Sequence, residues 1–160
     1  AARLLAGAPL QVRAYGDTSG FPRYVAGLRR LIRGDGRMGL NGAFSKEMLS
    51  RVLRELDVVV VPSLWYENSP NVILEAFAHC TPVIVSNVGG MAEMVEDGVG
   101  GLRFRRGDVE DLTRQLQRLL DRPALLEALR EGIPPVKRVA EEMDELKRIY
   151  VQVQDRGGGT

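Results

Sequence analysis

Four consecutive valines between Asp57 and Pro62 are the feature that most restricts what this chain can fold into. A strand that is apolar at every position, rather than at every second one, is typical of burial on both faces, as in the centre of a parallel sheet. The run is far too short to cross a bilayer as a helix. It predicts a buried strand over residues 57–62, and parallel strands need crossover connections between them.

The rest of the chain alternates short β-branched runs with amphipathic stretches, the pattern of parallel strands joined by helices. Further strands are predicted over residues 10–15, 38–41, 82–86 and 100–104. Helices are predicted over residues 21–33, 70–79, 91–96, 108–120, 123–130 and 136–153. A further helix is predicted to begin after Ser45, which would be its N-cap. The expected fold class is therefore α/β, a Rossmann-like doubly wound parallel sheet with helices on both faces.

Length and composition indicate one ordinary globular domain. The 160 residues fit a single domain, which we expect over residues 1–153, with 154–160 as a flexible tail. Residues 1–6 look like the end of a helix, so we expect the first strand to be missing and the chain to be a fragment. A net charge of +1 argues against a nucleic-acid partner. The single cysteine and the lack of a signal-peptide pattern point to the cytoplasm.

The segment after the valine strand carries the predicted chemistry. In doubly wound folds ligands bind outside the carboxyl ends of the strands, which is where this loop would lie. Ser69 is a suitable N-cap and Pro70 a suitable first helical residue, which leaves the N–H groups of Asn71 and Val72 pointing outward. With the helix dipole, these groups are suited to a phosphate. An ordinary capped helix after a strand would explain the same pattern.

Glu67 and Glu75 are the two carboxylates of this segment, eight residues apart. No lysine or arginine occurs between Pro62 and Pro82, so the segment offers neither glutamate an ion-pair partner. The apolar neighbours of Glu75 make an unpaired carboxylate costly there. At the ligand edge of a sheet, such a carboxylate can accept hydrogen bonds from sugar hydroxyls. The alternative for Glu75 is that it caps a neighbouring backbone amide.

The run from Asp57 to Phe104 resembles the C-terminal domain of family 4 retaining glycosyltransferases, which have the two-domain GT-B fold. The resemblance extends over about residues 10–130 and rests on the order and spacing of short motifs. These are Pro62-Ser63, the pair Glu67 and Glu75 with Ala76, Thr81 to Ile84, Gly89-Gly90 with Glu93, Asp97-Gly98 and Gly101-Leu102, preceded by Tyr15-Gly16-Asp17 and Leu40-Asn41-Gly42.

The resemblance implies a role for each site residue. Glu67, the implied catalytic residue, would accept hydrogen bonds from hydroxyls of the donor sugar, and Glu75 would hold the ribose hydroxyls. The backbone amides of Asn71 and Val72 would contact the diphosphate. The other implied substrate-binding positions are Asn68, Ser69 and Pro70 near the sugar, Leu40, Asn41 and Gly42 beside the base, and Gly16 in the first turn.

The function implied is that of the donor-binding half of a retaining glycosyltransferase. The donor would be a nucleotide-diphospho-sugar of the UDP or GDP type, with no metal and no further cofactor. Its partner would be an N-terminal acceptor-binding domain, absent here together with the family's diphosphate-binding arginine and lysine, so the isolated chain should be inactive. Peripheral membrane association of the parent protein stays open. The alternative is a non-catalytic nucleotide-binding or interaction domain with a degenerate glycosyltransferase fold.

Two residues at the end of the predicted helix 70–79 are interpreted as structural. His79 is expected to be solvated or to cap the helix. Cys80 stands where the family usually has glycine, and a left-handed backbone there would cost about 1 kcal/mol. We expect its thiol to be a buried spacer.

Trp65 and Tyr66 either stack on a sugar or base or pack under the loop. The run containing Arg103, Arg105 and Arg106 is interpreted as a solvated strand end.

Overall fold

Five short strands, all paired in parallel, form the framework of the chain. The computed structural model describes residues 1–157. The strands are β1 (Val12–Ala14), β2 (Met38–Leu40), β3 (Val59–Val61), β4 (Val83–Ser86) and β5 (Gly101–Phe104). Each falls within a predicted run, and the α/β class with parallel strands is confirmed.

Seven α-helices connect and follow the strands within residues 1–157. They are α1 (Pro22–Ile32), α2 (Leu49–Arg54), α3 (Asn71–Ala78), α4 (Gly89–Met94), α5 (Val109–Asp121), α6 (Pro123–Glu131) and α7 (Val139–Gly157). Short 3-10 helices occupy Ala2–Leu4 and Lys46–Met48. The second begins after Ser45, which is at the N-cap position as predicted. Its side chain makes no capping hydrogen bond, so the predicted side-chain cap is wrong.

The strands divide into two sheets, β1-β2 and β3-β4-β5. The valine strand β3 therefore lies at an edge, and the prediction that it is buried on both faces, as a strand in the centre of a sheet would be, is wrong. Its middle residue, Val60, is 36% exposed, because β1 and β2 do not pair with β3 and leave one of its sides without a neighbour. The centre of the larger sheet is β4, in which every residue is buried.

Both faces of the larger sheet are covered, as the predicted doubly wound arrangement requires. Alternate residues of β4 point to opposite faces. Val83 and Val85 pack with residues of α3 and α4, whereas Ile84 packs with Leu116 of α5 and Leu129 of α6. The sheet is thus held between two apolar layers, and its carboxyl edge is presented to the loops that follow β3 and β4.

The C-terminal end of the described chain is helical. Helix α7 extends to Gly157, so residues 154–157, expected to belong to a tail, are helical, and residues 158–160 of that tail lie outside the described residues. Of the helices in the described part of the chain, none combines the length and apolar character needed to span a membrane.

Candidate functional site

The site loop, residues 63–70 between β3 and α3, holds Glu67 at two points. The hydroxyl of Ser63 donates a 2.6 Å hydrogen bond to Oε1 of Glu67. The main-chain N–H of Gly90, in α4, donates a 2.8 Å bond to the Glu67 carbonyl oxygen. Among the described residues no hydrogen bond or ion pair reaches the second carboxylate oxygen. The carboxylate is therefore oriented by the protein while one oxygen stays free to accept a bond.

The start of α3 differs by one residue from the prediction. Pro70 is the N-cap, in an extended conformation, and Asn71 is the first helical residue. A proline N-cap has no side-chain acceptor, and the Ser69 hydroxyl instead lies 3.6 Å from the sulfur of Met94. The predicted Ser69 cap is thus wrong. Because no side chain of residues 1–157 caps the helix, the N–H groups of Asn71 and Val72 have no acceptor among those residues.

Glu75 lies half-buried on α3, one turn after the start of the helix. Its carboxylate makes no hydrogen bond or ion pair with the described residues, so the alternative in which it caps a backbone amide is not seen. Its carbonyl oxygen lies 2.8 Å from Nδ1 of His79, the C-cap of α3. The expectation that His79 serves the end of the helix is confirmed.

The remaining predicted residues form a second group at the carboxyl ends of β1 and β2. The N–H of Gly16 donates to the carbonyl of Gly42 at 2.9 Å, and the N–H of Asn41 donates to the carbonyl of Ala14 at 2.8 Å. Leu40 is the last residue of β2. These positions therefore lie together in the structure. Within residues 1–157, no hydrogen bond joins this group to the site loop or to α3.

Trp65 and Tyr66 project from the outer side of the site loop, with exposed fractions of 80% and 75%. The alternative in which they pack under the loop is wrong. The guanidinium of Arg106 stands over the Tyr66 ring, 5.4 Å from its centroid, within cation–π range. The loop thus presents aromatic surface next to Glu67, with a cation beside it.

The three arginines in and after β5 make different contacts, so the interpretation of the whole run as a solvated strand end is too simple. Arg103 donates to the Ala92 carbonyl at 3.2 Å, and Arg105 pairs with Asp108 at 2.7 Å. Among the described residues, Arg106 pairs with no carboxylate. Its position in the sequence carried no signal that it would meet Tyr66.

Cys80 is the one non-glycine residue of the described chain with a left-handed backbone, at φ 56°. This agrees with the glycine usual at that position. Its thiol is exposed, so the prediction of a buried spacer is wrong.

A cavity of about 590 Å³ opens at the opposite end of the strands, next to the amino ends of β1 and β3. Leu10, Glu55 and Val58 are among its lining residues, and none of the predicted site residues lines it. In the described part of the chain, no three His, Cys, Asp or Glu side chains are grouped to hold a metal ion.

The sequence matches the profile of a family described as Glycosyl transferases group 1 over residues 1–122. Alpha-D-kanosaminyltransferase of Streptomyces kanamyceticus is 29% identical over 121 residues, covering 73% of this chain and 31% of that protein. D-inositol 3-phosphate glycosyltransferase of Streptosporangium roseum is 43% identical over 79 residues, covering 49% and 18%.

A similar fold occurs in Anabaena HepE, solved in complex with UDP and glucose. Its TM-score is 0.74 at 23% sequence identity, over 82% of this chain and 37% of HepE. The chain thus spans well under half the length of each of these proteins.

Proposed function

Because the chain belongs to the glycosyl transferases group 1 family, we propose that it is the donor-binding half of a retaining glycosyltransferase. The donor is a nucleotide-diphospho-sugar, and a separate domain supplies the acceptor. One observation carries this proposal: Glu67 is held through one carboxylate oxygen and through its main chain, with the other oxygen free, beside a helix start that no side chain caps.

Glu67 is the residue we assign to the donor sugar. A carboxylate that accepts one bond from Ser63 still has acceptor capacity for sugar hydroxyls. Hydrogen bonds to a charged acceptor are stronger than those between neutral groups, and one that strengthens as charge develops on the sugar favours the transition state. The Ser63 bond removes part of the orientational freedom that Glu67 would otherwise lose on binding.

The uncapped start of α3 is the part of the site suited to the diphosphate. The N–H groups of Asn71 and Val72 and the positive end of the helix dipole favour an anion. In this chemistry, the same groups stabilise the charge that develops on the departing phosphate, without needing a metal.

Glu75 is the residue we assign to the ribose that follows the diphosphate. It lies four residues after Asn71, about 6 Å along the helix axis and on the same helix face. Helical side chains lean toward the N-terminus, so the carboxylate of Glu75 is directed toward the uncapped turn. Its lack of a described partner leaves it free to accept both ribose hydroxyls.

The group formed by Gly16, Leu40, Asn41 and Gly42 is our proposed border of the base. HepE, whose fold is similar, was solved with UDP and glucose, which makes UDP and UDP-glucose the first ligands to test.

Beyond the site, we propose that a further parallel strand pairs between β1 and β3, which are not hydrogen-bonded to each other. We also propose that the whole enzyme acts in the cytoplasm.

Titration with UDP, GDP, UDP-glucose and GDP-mannose, followed by hydrogen exchange, tests the proposal. One nucleotide should slow amide exchange over residues 67–75, and its sugar conjugate should protect the site loop further. No protection by any of the four, at millimolar concentration, would contradict donor binding by this chain. Sugar transfer catalysed by the purified chain would contradict the proposal that it is only the donor half.

A further inference from the structure

We propose that Gly90 is a positioning residue for Glu67, and that the absence of a side chain at Gly90 sets where the site loop can lie. Gly90 lies in the first turn of α4, which follows β4, and not in the segment with the two glutamates. Its main-chain N–H donates the 2.8 Å bond to the Glu67 carbonyl. The consequence for donor binding rests on the proposed function, whereas the consequence for the loop does not.

The close approach at Gly90 involves backbone on both sides. A Cβ at this position would lie 1.6 Å from the Asn68 carbonyl oxygen, 2.4 Å from its carbon and 2.8 Å from the Glu67 carbonyl oxygen. Real Cβ atoms essentially never come within 3.0 Å of such atoms. The obstacle is main chain, so no change of rotamer relieves it, and the loop itself would have to move.

The requirement at Gly90 is for space. Its backbone is not in the left-handed region, whereas that of Gly89 is, at φ 52°. A Cβ at Gly89 would meet the Glu67 carbonyl oxygen at 3.2 Å, a contact that a shift of a few tenths of an ångström relieves. A methyl group at Gly89 would therefore strain its own backbone and press on the loop only lightly, whereas at Gly90 it would collide with the loop itself.

A methyl group at Gly90 would displace the Asn68 carbonyl, and the Glu67 carbonyl beside it, by an amount on the order of 1 Å. A misplacement of about 1 Å at a reacting centre can lower a rate or a selective interaction by about a hundredfold. In the part of the chain that the structure describes, no hydrogen bond joins Gly90 to the N-terminal turn of α3 or to Glu75. The contact of Glu67 with the donor sugar should therefore be weakened, whereas the contacts of α3 and Glu75 with the nucleotide should not change.

The experiment compares Gly90→Ala with wild type in two measurements. Hydrogen exchange of the ligand-free protein should become faster over residues 63–70. Affinity for UDP-glucose should fall at least about tenfold, while affinity for UDP stays within about threefold. Gly27→Ala is the matched control, since its added methyl group meets no atom within 4 Å and its backbone is ordinary helix.

Gly89→Ala serves if Gly90→Ala does not fold, and it should change loop exchange and UDP-glucose affinity in the same directions by smaller amounts. Unchanged exchange and unchanged affinities in Gly90→Ala, or in Gly89→Ala if only that variant folds, would overturn the inference. An equal loss of UDP and UDP-glucose affinity would also overturn it, because Gly90 would then support the whole site. If wild type binds neither ligand, the proposed function fails, and loop exchange alone still decides the role of Gly90.

Discussion

The hydroxyl of Ser63 donates a 2.6 Å hydrogen bond to the carboxylate of Glu67, four residues later in the same loop. We therefore expect Ser63→Ala to leave Glu67 less well oriented. Losing one such bond costs about 1 kcal/mol, which is about fivefold in affinity for UDP-glucose. Affinity for UDP should not change, because among the described residues Ser63 makes no hydrogen bond to the start of α3. Calorimetric titration of the two ligands measures the difference, and Ser50→Ala on α2 is the control.

Replacing the two glutamates separately should divide donor binding into its two parts. Hydrogen bonds to a charged group are worth about 1.5–3 kcal/mol, so each loss should be about 10- to 100-fold. Glu75→Gln should weaken UDP and UDP-glucose alike, since both carry the ribose. Glu67→Gln should weaken UDP-glucose and spare UDP.

Glu131→Gln, an exposed carboxylate at the end of α6, is the control for the loss of one charge. If both site variants lower the two affinities by the same factor, the separate assignments of Glu67 and Glu75 are wrong.

Trp65 is the sole tryptophan of the chain and is 80% exposed on the site loop. An indole in water emits at long wavelength and is open to ionic quenchers. Binding of UDP-glucose should shift the emission to shorter wavelength and reduce quenching by iodide, whereas UDP alone should do so less. Trp65→Phe should remove the signal. An emission spectrum that is insensitive to a ligand shown by calorimetry to bind would exclude contact between Trp65 and the donor.

The strand pattern could be predicted from the chain, but the neighbours of each strand could not. The valine run indicates a strand whose residues prefer burial, and β3 lies within it, yet Val60 is exposed. Burial on both faces depends on which strands pair on either side, a long-range property that a local run does not contain. The sequence 83–86 has the same apolar character with a serine at its end, and it is the strand at the centre.

The candidate site residues are chosen from motifs, whereas the contacts that orient them could not be predicted. Glu67 and Glu75 follow from their spacing, since both lie on a loop and helix adjacent in sequence. Gly90 meets Glu67 across 23 residues of chain, and only the packing of α4 against the loop reveals it. The prediction that Ser69 is the N-cap is wrong because proline can occupy either the N-cap or the first helical position. In the structure Pro70 is the N-cap of α3.

Cys80 stores backbone strain that glycine would release. Its left-handed conformation, at φ 56°, costs a non-glycine residue about 1–2 kcal/mol, against about 0.5–1 kcal/mol for the greater freedom of glycine when unfolded. Cys80→Gly should therefore raise the free energy of unfolding by about 0.5–1 kcal/mol, measured by urea denaturation under reducing conditions. Cys80→Ala keeps the strain and, because the thiol is exposed, should stay within about 0.5 kcal/mol of wild type. Equal stability of the glycine and alanine variants would show that the turn is not strained.

The turn before β2 should give the chain an acid-sensitive contact. The Arg37 guanidinium donates to both carboxylate oxygens of Asp35, at 2.9 and 2.7 Å, and its third nitrogen donates to the Leu5 carbonyl at 2.6 Å. The side-chain and backbone bonds from Arg37 lower the pKa of Asp35 from 3.8 to about 2. A carboxyl group whose pKa is lower when folded stabilises the fold above its unfolded pKa, and that contribution is lost as the pH falls through its folded pKa.

The Asp35 contribution should therefore be complete above about pH 4 and decline between about pH 4 and about pH 2. Asp35→Asn should lower the melting temperature at pH 6, and its difference from wild type should shrink toward pH 2. Arg37→Gln should remove the same pH-dependent difference, because it removes the donor that lowers the Asp35 pKa. Thermal unfolding at intervals from pH 2 to pH 7 measures both. A difference between Asp35→Asn and wild type that stays constant over that range would show that Asp35 acts by shape and not by charge.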